Sequence, residues 1–471
     1  MMKHLASISF IILLAVIANF TASCKKKNFG DSDGNLDFSR DTIVFDTVFT
    51  TIGSTTAQFK VYNRDNKTIT IDEIELAGGA ASPFEINFDG LQGTQFSNIQ
   101  IEGGDSLFCF VEVTLSTNGG NLPLVVEDSI RFRCNGVDQY VKLAVWGQDA
   151  YFHYNDTNEG TWPNDKPHVI YGYAGIDTDK TLTIQQDTKV YLHKGSLLYV
   201  YEGTLHVDGA YQHEVIFQGD RLEEFYDNVP GQYYGIYFER AKSSTINYAV
   251  IKNGTAGIHI FDNNVANTGY TVTVTNTKIT NNASYGLFLF AGGKVKAENC
   301  LIAKNGVHAM LLLQGGDFNI NHCDLLGYSS QSNQTPAVGI RNYYFDSETG
   351  NTNVGQVNEG KIYNSVIYGN EDSEIVFDTI NPGGVNLNFD FRRTLIKKET
   401  IETTSAYQNI IWNSDPQFNN VGTNDFLFPF TSPLNGTVNP LLTPPSTPSV
   451  TTSINNVPRP PLPDLGAYEA Q

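Results

Sequence analysis

Past Phe20 the sequence has no apolar run approaching the ~20 residues that a membrane-crossing helix needs, so no transmembrane helix is expected in the remainder. Basic residues are few, 30 Lys and Arg against 50 Asp and Glu, for a formal net charge of -20. That balance excludes a broad positive field, and with it nucleic acid or an anionic membrane face as a partner. Cysteine is scarce too, 5 residues in 471, with no Cys-x-x-Cys pair and no clustered histidine to hold zinc; no metal or cofactor is expected. What the chain does have is 40% hydrophobic residues, enough for packed cores and too many for a disordered chain.

The start reads MMKHLASISFIILLAVIANFTASCKKK: Lys3, an apolar run from Leu5 to Phe20, then small residues before Cys24. This is the pattern of an export signal. Thr21-Ala22-Ser23-Cys24 resembles the lipobox of bacterial lipoproteins. The resemblance implies a signal peptide over 1–23, lipidation of Cys24 and stable anchoring by acyl chains. With Lys25 after the cysteine it also implies sorting to the outer membrane, on a face the sequence leaves open.

After a linker over 24–39, residues 40–150 hold short runs of period-two alternation. Phe59 and Val61 share a face, as do Leu107, Cys109, Val111, Val113 and Leu115; Ile130, Phe132 and Cys134 oppose Arg131 and Arg133; Val141, Leu143 and Val145 align. Such alternation predicts an antiparallel β-sandwich with one face of each sheet buried. The segment resembles the immunoglobulin-like modules of secreted bacterial proteins, which implies a spacer or partner-binding role. Cys109 and Cys134 both face inward, leaving a bridge between neighbouring strands and two buried thiols as alternatives.

From residue 181 the character changes, and a short unit recurs. NYAVIKN, NTKITNN, NCLIAKN, HCDLLGY, NSVIYGN and RTLIKKE begin at Asn247, Asn276, Asn299, His322, Asn364 and Arg393. Each reads polar, two residues, aliphatic, two residues, then usually Asn; the aliphatic positions are Val250, Ile279, Ile302, Leu325, Ile367 and Ile396. Their spacings of 29, 23, 23, 42 and 29 are what stacked coils with loop insertions produce. Asn253, Asn282 and Asn305 are each followed four residues later by Gly257-Ile258, Gly286-Leu287 and Ala309-Met310. The pattern resembles the right-handed parallel β-helix of pectin-lyase-like proteins. One coil cannot bury its apolar side chains, whereas coils stacked about 4.8 Å apart form a continuous core and pair their backbones. Roughly nine coils of ~25 residues fit between 170 and 412. In this register Cys300 and Cys323 occupy one inward column with Tyr248, Thr277, Ser365 and Thr394, as stacked thiols rather than a disulfide, because parallel Cα–Cβ bonds hold the Cβ atoms too far apart.

The expected fold is therefore all-β: a sandwich, a β-helix over 151–425, and an irregular Pro-rich cap over 426–471. Ten of the 18 prolines lie between Pro429 and Pro463, which bars regular helix or central strand there. Asp415-Pro416, Ser432-Pro433 and Asp464-Leu465-Gly466-Ala467-Tyr468-Glu469 resemble the closing section of secreted bacterial β-helix proteins, and the segment is expected to cover the last coil.

The β-helix resemblance makes polysaccharide the first ligand class to consider, but fold does not specify function. The polygalacturonase signatures do not occur as a set, and no dense carboxylate cluster is present for a Ca²⁺-dependent lyase. The most charged insertion, Gln218 to Gly235, places Asp220, Arg221, Glu223, Glu224 and Asp227 beside Tyr233 and Tyr234, a candidate ligand-binding loop weighed against a solvated, internally paired one. His193, His206, His213, His259 and His308 lie scattered over the coils without a visible orienting partner. The leading reading is a non-catalytic envelope lipoprotein presenting a binding or assembly surface to a glycan or another envelope protein. Its alternative is a polysaccharide lyase or glycoside hydrolase acting on an acidic glycan.

Overall fold

The chain divides after Asp149 into two units, each with its own main core. The structure, a computed structural model, describes residues 34–117, 119, 124–263, 269–329, 335–439 and 450–471. The expected signal peptide over 1–23, the expected lipidation site Cys24 and the first part of the expected linker lie outside the described residues.

In the first unit one sheet orders the strands Asp37–Phe38, Ala57–Tyr62, Ser106–Val113, Phe84–Phe88 and Leu91–Gly93; the other orders Thr42–Phe49, Val137–Gln148, Leu124–Cys134, Ile69–Leu76 and Gln95–Ile101. Alternation puts Phe59, Val61, Val111, Ile130, Phe132 and Val141 into one core between them. Two expectations change. Thr42–Phe49 runs parallel to Val137–Gln148 in an otherwise antiparallel sandwich, and Asp37–Phe38, assigned to the linker, pairs with Ala57–Tyr62. Cys109 and Cys134 are buried on strands of opposite sheets and are not bridged to each other. Burial pushes the Cys109 thiol far up and keeps it protonated.

The second unit is a solenoid of three parallel ladders. The first ladder has 10 strands, running from Gly160–Trp162 to Tyr407–Gln408. The second runs through Lys189–Leu192, Val215–Gly219, Ala249–Lys252, Lys278–Thr280, Leu301–Ala303, Asp324–Gly327, Val366–Gly369, Leu395–Ile396 and Ile411–Trp412. The third runs through Leu197–Tyr201, Gly235–Glu239, Ala256–Phe261, Tyr285–Phe290, His308–Leu313, Val338–Arg341 and Ile375–Asp378. Ile279, Ile302, Leu325, Ile367 and Ile396 form one buried column in register. Val250 does not join it. It pairs with Lys278 and is half-buried, while Ile251 pairs with Ile279 at 0% exposure, so the first unit of the repeat is offset by one residue.

The offset has a backbone cause. The turn from the first ladder to the second takes a single residue at positive φ: Tyr248 (45°), Asn276 (51°), Asn299 (61°), His322 (50°), Asn364 (49°) and Arg393 (46°). Asn suits this position because it tolerates the left-handed region, and its amide then bonds the coil before it. Asn276 Nδ2 donates to Asn247 Oδ1 at 2.9 Å, Asn299 Nδ2 to Asn276 Oδ1 at 2.7 Å, and Asn364 Nδ2 to Asn321 Oδ1 at 2.8 Å. In the earliest of these coils Tyr248 holds the corner, and Asn247 is the residue before it. Tyr248 accordingly leaves the inward column, where Ala249 stands instead, buried with Thr277, Cys300, Cys323, Ser365 and Thr394.

Each polar member of that column performs one task. Its hydroxyl or thiol donates to the carbonyl two residues earlier: Thr277 to Thr275 at 2.7 Å, Cys300 to Glu298 at 3.2 Å, Cys323 to Asn321 at 3.3 Å, Ser365 to Tyr363 at 2.6 Å, Thr394 to Arg392 at 2.9 Å. The two cysteines are free and fully buried. They tie the corner as serine or threonine does elsewhere in the stack.

The C-terminal segment lies along the flank of the second ladder. Outward positions of that ladder are polar at Lys278 and Thr280 but become Leu301, Ala303, Leu326, Val366, Leu395 and Ile411 in later coils. These pack with Phe426, Phe428, Leu434, Ile454, Leu465, Ala467 and Tyr468 in a third core. A buried polar cluster fixes the strap. Arg459 pairs with Glu469, donates to the carbonyls of Asp464 and Gly466, and reaches Asn299 Oδ1 at 2.9 Å on the corner column. Asp324 accepts from the Ala467 amide at 3.2 Å. Gly466, at φ 84°, is obligatory here, because a Cβ would come within 2.0 Å of Asp324 Oδ1.

Candidate functional site

Strands of the third ladder point one residue in and the next out. Leu198, Ile236, Ile258, Leu287 and Met310 are buried in register, so their neighbours Tyr199, Tyr237, His259, Phe288 and Leu311 form an outward column. A second outward column carries Tyr201, Glu239, Phe261, Phe290 and Leu313. Centroids of consecutive rings lie 5.4 Å apart for Tyr199–Tyr237, 4.6 Å for Tyr237–His259 and 4.4 Å for His259–Phe288. Parallel in-register strands impose this stacking, and each ring covers its neighbour's face. Tyr234 extends the patch sideways through a 2.6 Å hydrogen bond to His259 Nδ1. Burial among these rings pushes the His259 pKa down to about 4, so the imidazole is neutral at pH 7.

At its N-terminal end the column reaches Gly175, which pairs with Tyr199, and the stack stops. A cleft of about 570 Å³ opens there, lined by Tyr173, Leu197, Tyr199, Tyr201, Tyr237 and Asp177 among others. Tyr199 donates to Glu239 Oε2 at 2.7 Å, and the Arg240 guanidinium lies 5.0 Å over the Tyr201 ring while bonding Glu202 at 3.0 Å. A second cleft, about 450 Å³ and polar, sits at the turn from the third ladder to the first, with Asp262, Lys294, Gln314, Asp317, Gln356 and Asn358 on its walls.

The charged loop does not converge into one site. Arg221 pairs with Glu223 at 2.7 Å, not with Asp220, and packs 4.1 Å over Tyr226. Asp220 instead meets His193 Nδ1 at 2.7 Å on the preceding coil. Glu224 and Asp227 stand exposed near the tip of the loop. Tyr233 is removed from the candidate set: it is 1% exposed, and its hydroxyl donates to the Lys252 carbonyl at 3.0 Å inside the core. Only Tyr234 reaches the aromatic face.

The scattered histidines each clamp one chain segment to another. His206 Nδ1 meets Thr245 Oγ1 at 2.8 Å, His213 meets Asp187 at 3.0 Å and His308 meets the Pro336 carbonyl at 2.6 Å. The tyrosines of the cleft had a signal in LLYVYE, where Tyr199 and Tyr201 two residues apart must share a face. Which face is outward depends on the coil register, and the recurring unit begins only at Asn247, after these strands.

Residues 223–330 match the family described as Right handed beta helix region. The solenoid is a right-handed parallel β-helix. No curated protein matches the chain. Among solved structures, a family 123 glycoside hydrolase from Clostridium perfringens is similar at 6% identity and TM-score 0.19, over 26% of this chain and 30% of that one. The ASH / PapD-like domain of human CEP192 is similar at 10% identity and TM-score 0.17, over 27% of this chain and 94% of that domain. The chain thus spans under a third of the hydrolase, and likenesses this slight carry no weight beside the β-helix geometry.

Proposed function

We propose that the protein is a cell-envelope lipoprotein whose β-helix serves as a non-catalytic binding surface, with the aromatic outer face of the third ladder taking carbohydrate. The observation that carries this reading is the row Tyr199, Tyr237, His259 and Phe288, flanked by Phe261, Phe290 and Leu313. The rings of this row are half-buried against one another and His259 is only 8% exposed, so the outer edges of Tyr199, Tyr237 and Phe288 form the contiguous aromatic strip that can serve as a contact surface. Ring-rich surfaces edged by carboxylates and hydroxyls suit sugars, which offer apolar C–H faces and many hydroxyls.

His206, His259 and His308 bond a threonine, a tyrosine and a backbone carbonyl, whereas His193 and His213 meet Asp220 and Asp187, the pairings on which a catalytic reading would draw. Incubation with neutral and uronic-acid glycans tests the non-catalytic reading: retention without new reducing ends or unsaturated products is expected. Turnover abolished by replacing one outward carboxylate or histidine would contradict it. The anchor is tested separately, since Cys24→Ala is expected to move the protein from the membrane fraction to the soluble one.

A further inference from the structure

The ring stack on the third ladder ends at a glycine, and the end of a stack differs from its middle. Within the row each ring is covered on both faces by its neighbours in the coils before and after. Tyr199 is covered by Tyr237 on one side only, at 5.4 Å and an interplanar angle of 9°. On the other side its register partner is Gly175, which has no side chain, and the 570 Å³ cleft occupies the space where a further ring would lie. A Cβ at Gly175 would meet nothing closer than 3.4 Å, so neither sterics nor a positive φ requires glycine there. The absent side chain therefore leaves a vacancy in the row without serving the backbone.

The walls of the vacancy define what fits. Tyr173, 39% exposed, and Tyr201, tilted 49° from Tyr199, flank it. Asp177 supplies a carboxylate acceptor in the lining, and the tyrosine hydroxyls add further polar groups, that of Tyr199 donating to Glu239. Basic side chains on the flanking turns are already paired: Arg240 with Glu202 and Glu239, Lys242 with Asp179, and Lys180 with Glu159. A uronate carboxylate entering here would face Asp177 with each of these cations already committed, at a repulsive cost. A neutral sugar ring meets the open face of Tyr199 with its C–H groups and the rim with its hydroxyls.

We infer that the cleft floored by Gly175 and walled by Tyr173, Tyr199, Tyr201 and Tyr237 is a subsite for a neutral saccharide, which continues the ring stack in place of the missing side chain. This rests on the carbohydrate-binding reading above and sharpens it to one position and one charge class.

Calorimetric titration of the full chain with neutral gluco-, xylo- and manno-oligosaccharides, an oligogalacturonate and choline tests it. Binding by at least one neutral series is expected. Gly175→Val, which fills the vacancy without removing any tyrosine, is expected to weaken it about ten-fold or more, and Tyr199→Ala similarly. Gly175→Val should keep the wild-type melting temperature, because it adds a strand-favouring residue whose Cβ makes ordinary van der Waals contacts with the Tyr173 ring and the Asp156 carbonyl. Neutral binding that survives both substitutions overturns the subsite while leaving a glycan-binding face elsewhere on the ladder. Tighter binding of oligogalacturonate, or binding of choline alone, overturns the charge class. Failure of every saccharide overturns both the subsite and the reading it rests on.

Discussion

Cys300 and Cys323 act as serine analogues: each donates from a buried side chain to the carbonyl two residues back, in a column where threonine and serine do the same. Cys300→Ser keeps the donor and is expected to shift stability by no more than about 1 kcal/mol. Cys300→Leu adds volume to a filled column and should cost about 1–3 kcal/mol, read as a lower melting temperature. Asp324 makes a contrasting case, since burial raises its carboxyl to about 7 against the strap's Arg459. The folded chain therefore holds a proton that the unfolded chain, titrating near 4, releases. Stability from this group is present below about pH 4 and is lost as pH rises through 7. Asp324→Asn removes the titration and keeps an acceptor for the Ala467 amide. The stability of wild type relative to this variant should fall by about 1.4 kcal/mol per pH unit between roughly 4 and 7. A pH-independent difference would place the proton elsewhere among Asp464, Glu469 and His322, which face the same pocket beside Arg393 and Arg459.

Among the elements, the strap is the clearest case of a structure half-written in the sequence. Its prolines announced an irregular segment, and DLGAYE announced contact with the coils. Its footprint on a flank is set by Arg459 reaching Asn299, 160 residues away, which no local pattern reveals. The trace it left was a change of residue type: Lys278 and Thr280 give way to Leu301 and Ala303 on the outside of the second ladder, and His322 and Arg393 replace Asn at the corner. Arg459→Met strands Glu469 in a buried site and should cost about 3–5 kcal/mol. Increased binding of a hydrophobic dye is the expected accompaniment, as Leu326, Val366 and Leu395 lose their cover. The repeat itself was legible because one polar corner and one aliphatic position recur at every coil. It misplaced Val250 because Tyr248 takes the left-handed corner without the Asn that signals it, and a one-residue slip reverses inward and outward.

For the whole molecule, a sandwich and a parallel β-helix could be read from alternation and repetition, because both are demanded by burial at every turn of the chain. The binding surface could not. Outward positions are free of the packing constraint that makes inward ones regular, and the charged loop drew attention by composition while its members bonded one another. The outer face of the third ladder, beginning at the Gly175 vacancy, is the surface proposed to meet a glycan. Hydrogen–deuterium exchange of the full chain with and without a neutral oligosaccharide tests this most directly. Protection is expected in Leu197–Tyr201, Gly235–Glu239 and Ala256–Phe261, with the first and second ladders unchanged. Protection confined to the loop around Arg221, to the strap or to the sandwich, with none on these three strands, would contradict it.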